Sequence, residues 1–102
     1  MRRMKQLMND LYTLRIPFEV QYQTRYDIKN ETLGKYPQIF YPNSKNCVYD
    51  IICCPGSYGF EDDYLEIMDR FCGEVEGYLH PYEIIEIINK FPNGGYLDNE
   101  EE

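Results

Sequence analysis

The first fifteen residues carry apolar side chains at the spacing of a single helical stripe. Apolar residues recur there every three or four positions, at Met4, Leu7, Met8, Leu11 and Leu14. This period is typical of an amphipathic helix. Pro17 restricts the residue before it to extended conformations, so the helix must end before this proline. We therefore predict helix one over residues 2–15, as a cover helix lying on a sheet.

After Pro17 the period changes to two, which is the pattern of a strand. Phe18, Val20 and Tyr22 alternate with polar residues, so we predict strand one over residues 18–26, with one face buried and one exposed to water. Residues 27–35 have the composition of a turn and predict a hairpin loop. A second strand is expected over residues 36–41, where Pro37 lacks an amide donor and indicates an edge position or a late start.

A third strand is predicted over residues 46–54. This segment is rich in β-branched, aromatic and cysteine side chains, and Asp50 is its only acidic residue. Such a composition is typical of a central strand that is buried on both faces. Asp50 is the exception to that burial.

The next segment predicts helix two. Its apolar positions are Tyr64, Leu65, Ile67, Met68, Phe71 and Cys72. The acidic run 61–63 suits the first turn of a helix because the helix dipole favours negative charge there, and Gly73 is a common residue just after a helix end. Residues 74–79 are expected to form a connection.

Helix three has a well-marked start. His80 or Leu79 is expected at the cap, with Pro81 at the first helical position and an apolar face that runs to Phe91. The element order is then α-β-β-β-α-α. We predict an α+β fold with a three-stranded antiparallel sheet covered by helices, in one domain over residues 1–91. An acidic, disordered tail is expected over residues 92–102.

The charge pattern adds a prediction about partners. The 102 residues carry a net charge of -8, but residues 61–102 hold thirteen acids against Arg70 and Lys90, a net charge of -11. So negative a segment disfavours nucleic-acid backbones and anionic membranes, and it favours association with a protein that has a basic surface. We predict that the partner is bound by acids on helix two, namely Glu61, Asp62, Asp63, Glu66 and Asp69. Solubility alone is the alternative explanation of this charge.

A second candidate site is the glycine loop between the third strand and helix two. A strand, a glycine loop and a helix start in series can present free amides to an anion such as a phosphate. We predict ligand-binding residues at Gly56, Ser57, Tyr58 and Gly59, together with Tyr41. A tight connection between the two elements is the alternative, and few bases are near in sequence to help a nucleotide bind.

Other chemistry has less support in the sequence. Cys53 and Cys54 are adjacent and would point to opposite faces of a strand, so no metal site is predicted. The single histidine, His80, is expected to cap a helix or to lie on the surface. No nucleophile, base and orienting group can be identified together, so we predict no enzyme activity and no cofactor. No apolar run is long enough for a signal peptide or a membrane span, which indicates the cytoplasm and reduced cysteines.

Several short segments resemble small uncharacterised proteins of Gram-positive prophages and integrative mobile elements. The resemblance is carried by the segments 41–43, 56–61, 65–68 and 75–79, with Cys47 and Asp50 between them. It implies an accessory protein in a bacterial host that counters host defence, either by blocking a nuclease or by sequestering a nucleotide signal. We therefore expect a non-enzymatic binding protein, with a basic host protein as the first candidate partner and a nucleotide as the second. A self-associating subunit that uses helix three is a third hypothesis.

Overall fold

Five strands form one antiparallel sheet in the computed structural model, which describes residues 2–96. Both helices lie against one face of this sheet. In chain order the elements are α1 (Arg2–Thr13), β1 (Glu19–Tyr26), β2 (Thr32–Tyr41), β3 (Tyr49–Ile52), a 3-10 turn (Phe60–Asp62), β4 (Leu65–Asp69), β5 (Glu74–Leu79) and α2 (Pro81–Lys90). Neither helix among these residues is long and apolar enough to cross a membrane.

The sheet is a meander in which each strand pairs with its neighbours in sequence, in the order β1-β2-β3-β4-β5. The prediction of three strands, and with it the order α-β-β-β-α-α, is wrong. Predicted helix two is instead the 3-10 turn followed by β4, and the predicted connection 74–79 is β5. Leu65 and Ile67 lie in the core while Glu66 between them points to the other face, so the true period is two. Gly73, with a φ of 77°, lies in the β4–β5 hairpin turn and does not end a helix.

The core lies between the sheet and the helices. Residues at alternate positions of the inner strands share this face, and the register pairs Ile39 with Ile51 and Ile51 with Ile67. They pack with both helices, which contribute Met4, Leu7, Leu11, Ile84, Ile87 and Ile88. All six of these helical residues are buried. We call the other side of the sheet the open face, because no helix covers it.

The remaining boundaries follow local geometry. Helix one was expected to reach residue 15, but α1 ends at Thr13, and Arg15 takes a left-handed conformation with a φ of 59°. β2 begins at Thr32, inside the predicted loop, so the β1–β2 hairpin is longer than expected. β3 covers only four residues of the predicted 46–54. Predicted helix three is confirmed as α2, where the Glu83 side chain accepts a hydrogen bond from the backbone N–H of His80 at 2.9 Å.

The C-terminal segment packs back on the fold as far as it is described. Gly95 is buried, and the ring of Tyr96 contacts Phe91 edge-on with centroids 5.6 Å apart. The rest of the predicted tail, residues 97–102, lies outside the described part of the chain.

Candidate functional site: the acidic surface around β5

The glycine loop lies against β5 and lines a concavity. Residues 56–62 and Tyr78 enclose about 280 Å³. The loop approaches β5 closely at Gly77, where an added Cβ would come within 2.2 Å of the Cβ of Tyr58. The backbone N–H of Tyr78 donates to the carbonyl of Tyr58 at 3.4 Å. Four predicted ligand-binding residues, Gly56 to Gly59, therefore do lie together at one concavity.

Many amides of this loop already have acceptors within the protein. The N–H of Ser57 donates to the Cys54 carbonyl at 2.9 Å, and that of Tyr58 donates to Oε1 of Glu66 at 3.0 Å. Phe60, Asp62 and Tyr64 also donate to carbonyls of the loop. The loop is thus a tight connection with most donors in use, and Glu61 and Asp62 give its rim a negative charge.

Tyr41, the fifth predicted ligand-binding residue, lies elsewhere. Its side chain is buried in the core, where its ring stacks on Tyr49 with centroids 6.2 Å apart. Its hydroxyl donates to the carbonyl of Pro92 at 3.0 Å. Tyr41 therefore has a structural role between the sheet and the segment after α2.

Asp63, one of the five acids predicted to bind a partner, caps α1. Its Oδ2 accepts hydrogen bonds from the backbone N–H groups of Arg2 and Arg3 at 3.0 and 3.2 Å. The Arg3 guanidinium in turn donates to the carbonyls of Asp62 and Asp63, and it lies 4.4 Å from the centroid of the Tyr64 ring. This carboxylate joins the N-terminus of α1 to the loop before β4.

Glu66 and Asp69 are buried in β4 and also have structural partners. Glu66 accepts the Tyr58 amide across the open face. Asp69 is completely buried on the core face, and its carboxylate accepts hydrogen bonds from the N–H groups of Phe71 and Gly95. Of the five predicted partner-binding acids, only Glu61 and Asp62 are exposed.

Four further acids join these two around β5. Glu76 of β5 lines a concavity of about 140 Å³ together with Glu83, Glu86 and one base, Lys90, of α2. Glu74 begins β5 and is exposed. We call the resulting set the β5 acidic surface, and it consists of Glu61, Asp62, Glu74, Glu76, Glu83 and Glu86. This arrangement was not predicted because residues 61–72 were expected to form a helix. The alternation of side chains in Glu74–Leu79 is a strand signal that could have placed Glu74 and Glu76 on β5.

The open face holds a different set of charges. Asp50 is only 5% exposed, and its Oδ2 lies 3.1 Å from Nη1 of Arg70. Burial raises the pKa of Asp50, and the positive charge of Arg70 opposes that shift. Arg25 of β1 has a buried Nε with no hydrogen-bond partner among residues 2–96.

The cysteines and the histidine have the surroundings of structural residues. All four cysteines are free thiols. Burial, and to a smaller extent the Asp63 carboxylate, raise the pKa of the Cys53 thiol to about 11, which disfavours the nucleophilic thiolate. Burial also raises the pKa of Cys47 and of Cys54. His80 lies between the rings of Tyr64 and Tyr82.

Within residues 2–96, no three histidine, cysteine, aspartate or glutamate side chains are grouped to hold a metal ion. The chain matches no protein-family model, and no curated protein or solved structure matches it.

Proposed function

We propose that the protein is a non-enzymatic binding protein whose β5 acidic surface binds a basic, nucleic-acid-binding protein. The observation that supports this most is the position of the acids. Six of them lie around a single edge strand and the adjoining helix, in a segment of the described chain whose only bases are Arg70 and Lys90. A negative surface of this kind imitates the charge of a nucleic-acid backbone.

The physical role of these acids would be mainly in association and specificity. Exposed charges gain little energy individually because water and salt screen them. A group of like charges, however, creates a field that speeds the approach of a positively charged partner and repels negatively charged ones. Asp63, which is half-buried, and the buried acids Glu66 and Asp69 cannot serve in this way because they already hold α1, the loop and the C-terminal segment in place.

A nucleotide ligand has less support from the geometry. Phosphate groups are usually bound by free backbone amides or by bases. In the glycine loop most amides donate to acceptors of the protein, and the charged side chains at its concavity are those of Glu61 and Asp62. We therefore base the proposal on a protein partner, and the resemblance to mobile-element proteins suggests a nuclease or similar protein of a bacterial host.

The proposal is tested by neutralising acids in matched pairs. Glu74→Gln with Glu86→Gln removes two charges from the β5 acidic surface. Asp27→Asn with Glu31→Gln removes two charges from the β1–β2 hairpin at the other edge of the sheet, where asparagine keeps the side-chain oxygen that accepts the Lys29 and Glu31 amides. Both pairs change the net charge equally. Wild-type protein and each variant are immobilised and exposed to a lysate of a Gram-positive bacterium, and the retained proteins are quantified by mass spectrometry.

We expect basic nucleic-acid-binding proteins to be retained by the wild type and by the Asp27/Glu31 variant, and to be depleted with the Glu74/Glu86 variant. Added DNA or RNA should displace them, and higher salt should weaken their retention. The proposal fails if both variants lose the same proteins equally, or if retention is insensitive to both salt and nucleic acid.

A further inference from the structure

The two edge strands of the sheet differ in how well they are protected against pairing with another strand. β5 carries two acids, has an irregular register with β4, and has a positive φ at Tyr78, whose amide already donates to the Tyr58 carbonyl. Acids, irregularities and covering loops are the usual means of blocking an edge. β1 is eight residues long and contains no proline, lysine or glycine, and the extra residue at its register shift lies in β2.

Pro37 reveals which backbone groups of β1 face outward. In an antiparallel pair, opposite residues alternate between those that exchange two N–H···O bonds and those that exchange none. Tyr22 lies opposite Pro37, which has no N–H. This pair therefore cannot be one that exchanges two bonds, so the N–H and carbonyl of Tyr22 point away from β2. By the same alternation, those of Val20 and Thr24 also point to the free edge.

The sequence of β1 is complementary to itself in one antiparallel register. When two copies are aligned with Tyr22 opposite Tyr22, Gln21 lies opposite Gln23 and Val20 lies opposite Thr24. Glu19 then lies opposite Arg25, and the two-fold symmetry makes this pair twice. Shifting the register by two residues in one direction places Glu19 opposite Gln23, and shifting it in the other direction places Glu19 opposite Asp27. Neither shifted register places an acid opposite a base.

The side chains on both faces of β1 suit this pairing. On the open face, Arg25 makes no salt bridge within the described residues, and Glu19 accepts hydrogen bonds from Ser44 and Gln21 of its own chain, so the dimer would give each of these charges an ion-pair partner. On the helix side, Tyr22 and Tyr26 are 65% and 59% exposed. Aromatic residues on an edge strand gain from burial against a second strand.

We propose that two copies of this chain associate through β1, antiparallel and with Tyr22 at the two-fold axis, so that one continuous sheet runs through the dimer. The charge distribution agrees with this arrangement. The β5 acidic surface lies at the opposite edge of the sheet, so the two negative surfaces would lie at the far ends of the dimer. The dimer does not depend on what the β5 acidic surface binds.

The first experiment compares wild-type protein with Glu19→Lys and Arg25→Glu by sedimentation equilibrium. The wild type should form a species of twice the 12.3 kDa chain mass as its concentration rises. Each single variant should raise the dimer dissociation constant roughly tenfold or more, because two opposite-charge pairs become like-charge pairs. Mixing the two variants in equal amounts should restore dimers, because every base then faces an acid again.

Two further variants distinguish a specific loss of the dimer from unfolding of the monomer and from a general effect of net charge. Thr24→Pro removes an outward N–H without removing a hydrogen bond to β2, so it should abolish the dimer while the monomer keeps its circular dichroism spectrum. Lys90→Glu makes the same charge change as Arg25→Glu on α2 and should leave the dimer unchanged. A wild type that remains monomeric at all concentrations overturns the proposal. So does a dimer that survives Thr24→Pro, or a mixture of the two charge variants that stays monomeric.

Discussion

Asp63 offers the sharpest test of how α1 is held on the fold. Three substitutions there separate the contributions of its capping hydrogen bonds, its negative charge and its left-handed backbone. The first turn of α1 contains no acidic residue that could accept its free N–H groups. That role falls to Asp63, sixty residues away, whose carboxylate accepts the N–H groups of Arg2 and Arg3. Asp63 also has a left-handed backbone, with a φ of 63°, which aspartate and asparagine tolerate better than most residues.

The expected losses follow from these roles. Removing a capping side chain costs about 1–2 kcal/mol, and losing a negative charge at a helix N-terminus costs about 0.3–1 kcal/mol. Asp63→Ala loses both and places a Cβ without polar atoms in the left-handed region, which adds about 1 kcal/mol. We therefore expect its free energy of unfolding to fall by about 3 kcal/mol. Asp63→Gly avoids the backbone penalty and should lose about 2 kcal/mol, whereas Asp63→Asn keeps an acceptor and should lose about 1 kcal/mol.

Urea denaturation followed by far-ultraviolet circular dichroism measures all three variants on one scale. The wild-type midpoint and slope provide the reference, and the Asp62→Ala variant is the control, because Asp62 is exposed and contributes only its backbone carbonyl to Arg3. The order alanine, glycine, asparagine from most to least destabilised is the essential result. Equal losses for alanine and asparagine, or losses no larger than that of Asp62→Ala, would refute the capping role.

Three other predictions concern the loop, the C-terminal segment and alkaline pH. Gly77→Ala should destabilise the protein by about 2 kcal/mol in thermal or urea unfolding, because its Cβ would meet the backbone and side chain of Tyr58. Asp69→Ala should cost about 3 kcal/mol, since buried N–H groups that include that of Gly95 lose a charged acceptor, and hydrogen exchange at Gly95 should accelerate. Burial, and to a smaller extent the negative charge of Asp69, raise the pKa of Tyr49 to about 12. Because an unfolded tyrosine ionises near pH 10, the stability from neutral Tyr49 is complete below about pH 10 and is lost as the pH rises towards 12. Urea midpoints should fall over that range, and Tyr49→Phe should flatten the fall.

Local patterns predicted the first and last elements correctly. The helical stripe from Met4 to Leu11 and the proline at the start of α2 are signals that need no distant partner, because spacing and backbone chemistry specify them. The alternation that defines β1 is of the same kind. The end of α1 at Thr13 and the start of β2 at Thr32 were not predicted from these patterns.

In the second half of the chain, the spacing of apolar residues does not distinguish a helix from a strand. In residues 65–71, Leu65, Met68 and Phe71 have helical spacing, while Leu65 and Ile67 have strand spacing. Both readings use overlapping residues, and only the pairing of β4 with β3 and β5 selects the strand. The structural role of Glu66 could not be predicted either, because its partner is the Tyr58 amide on the preceding loop. A carboxylate such as Asp63 gives no local sign that it caps a helix sixty residues earlier.

The meander has a consequence for the order in which the protein folds. All four strand pairs join neighbours along the chain, so each hairpin closes only a short loop. By contrast, α1 meets α2 and Asp63 across most of the sequence. Because closing such long loops is entropically expensive, we expect the sheet to form first and α1 to dock afterwards. Substitutions at Asp63 should then speed unfolding while leaving the folding rate nearly unchanged.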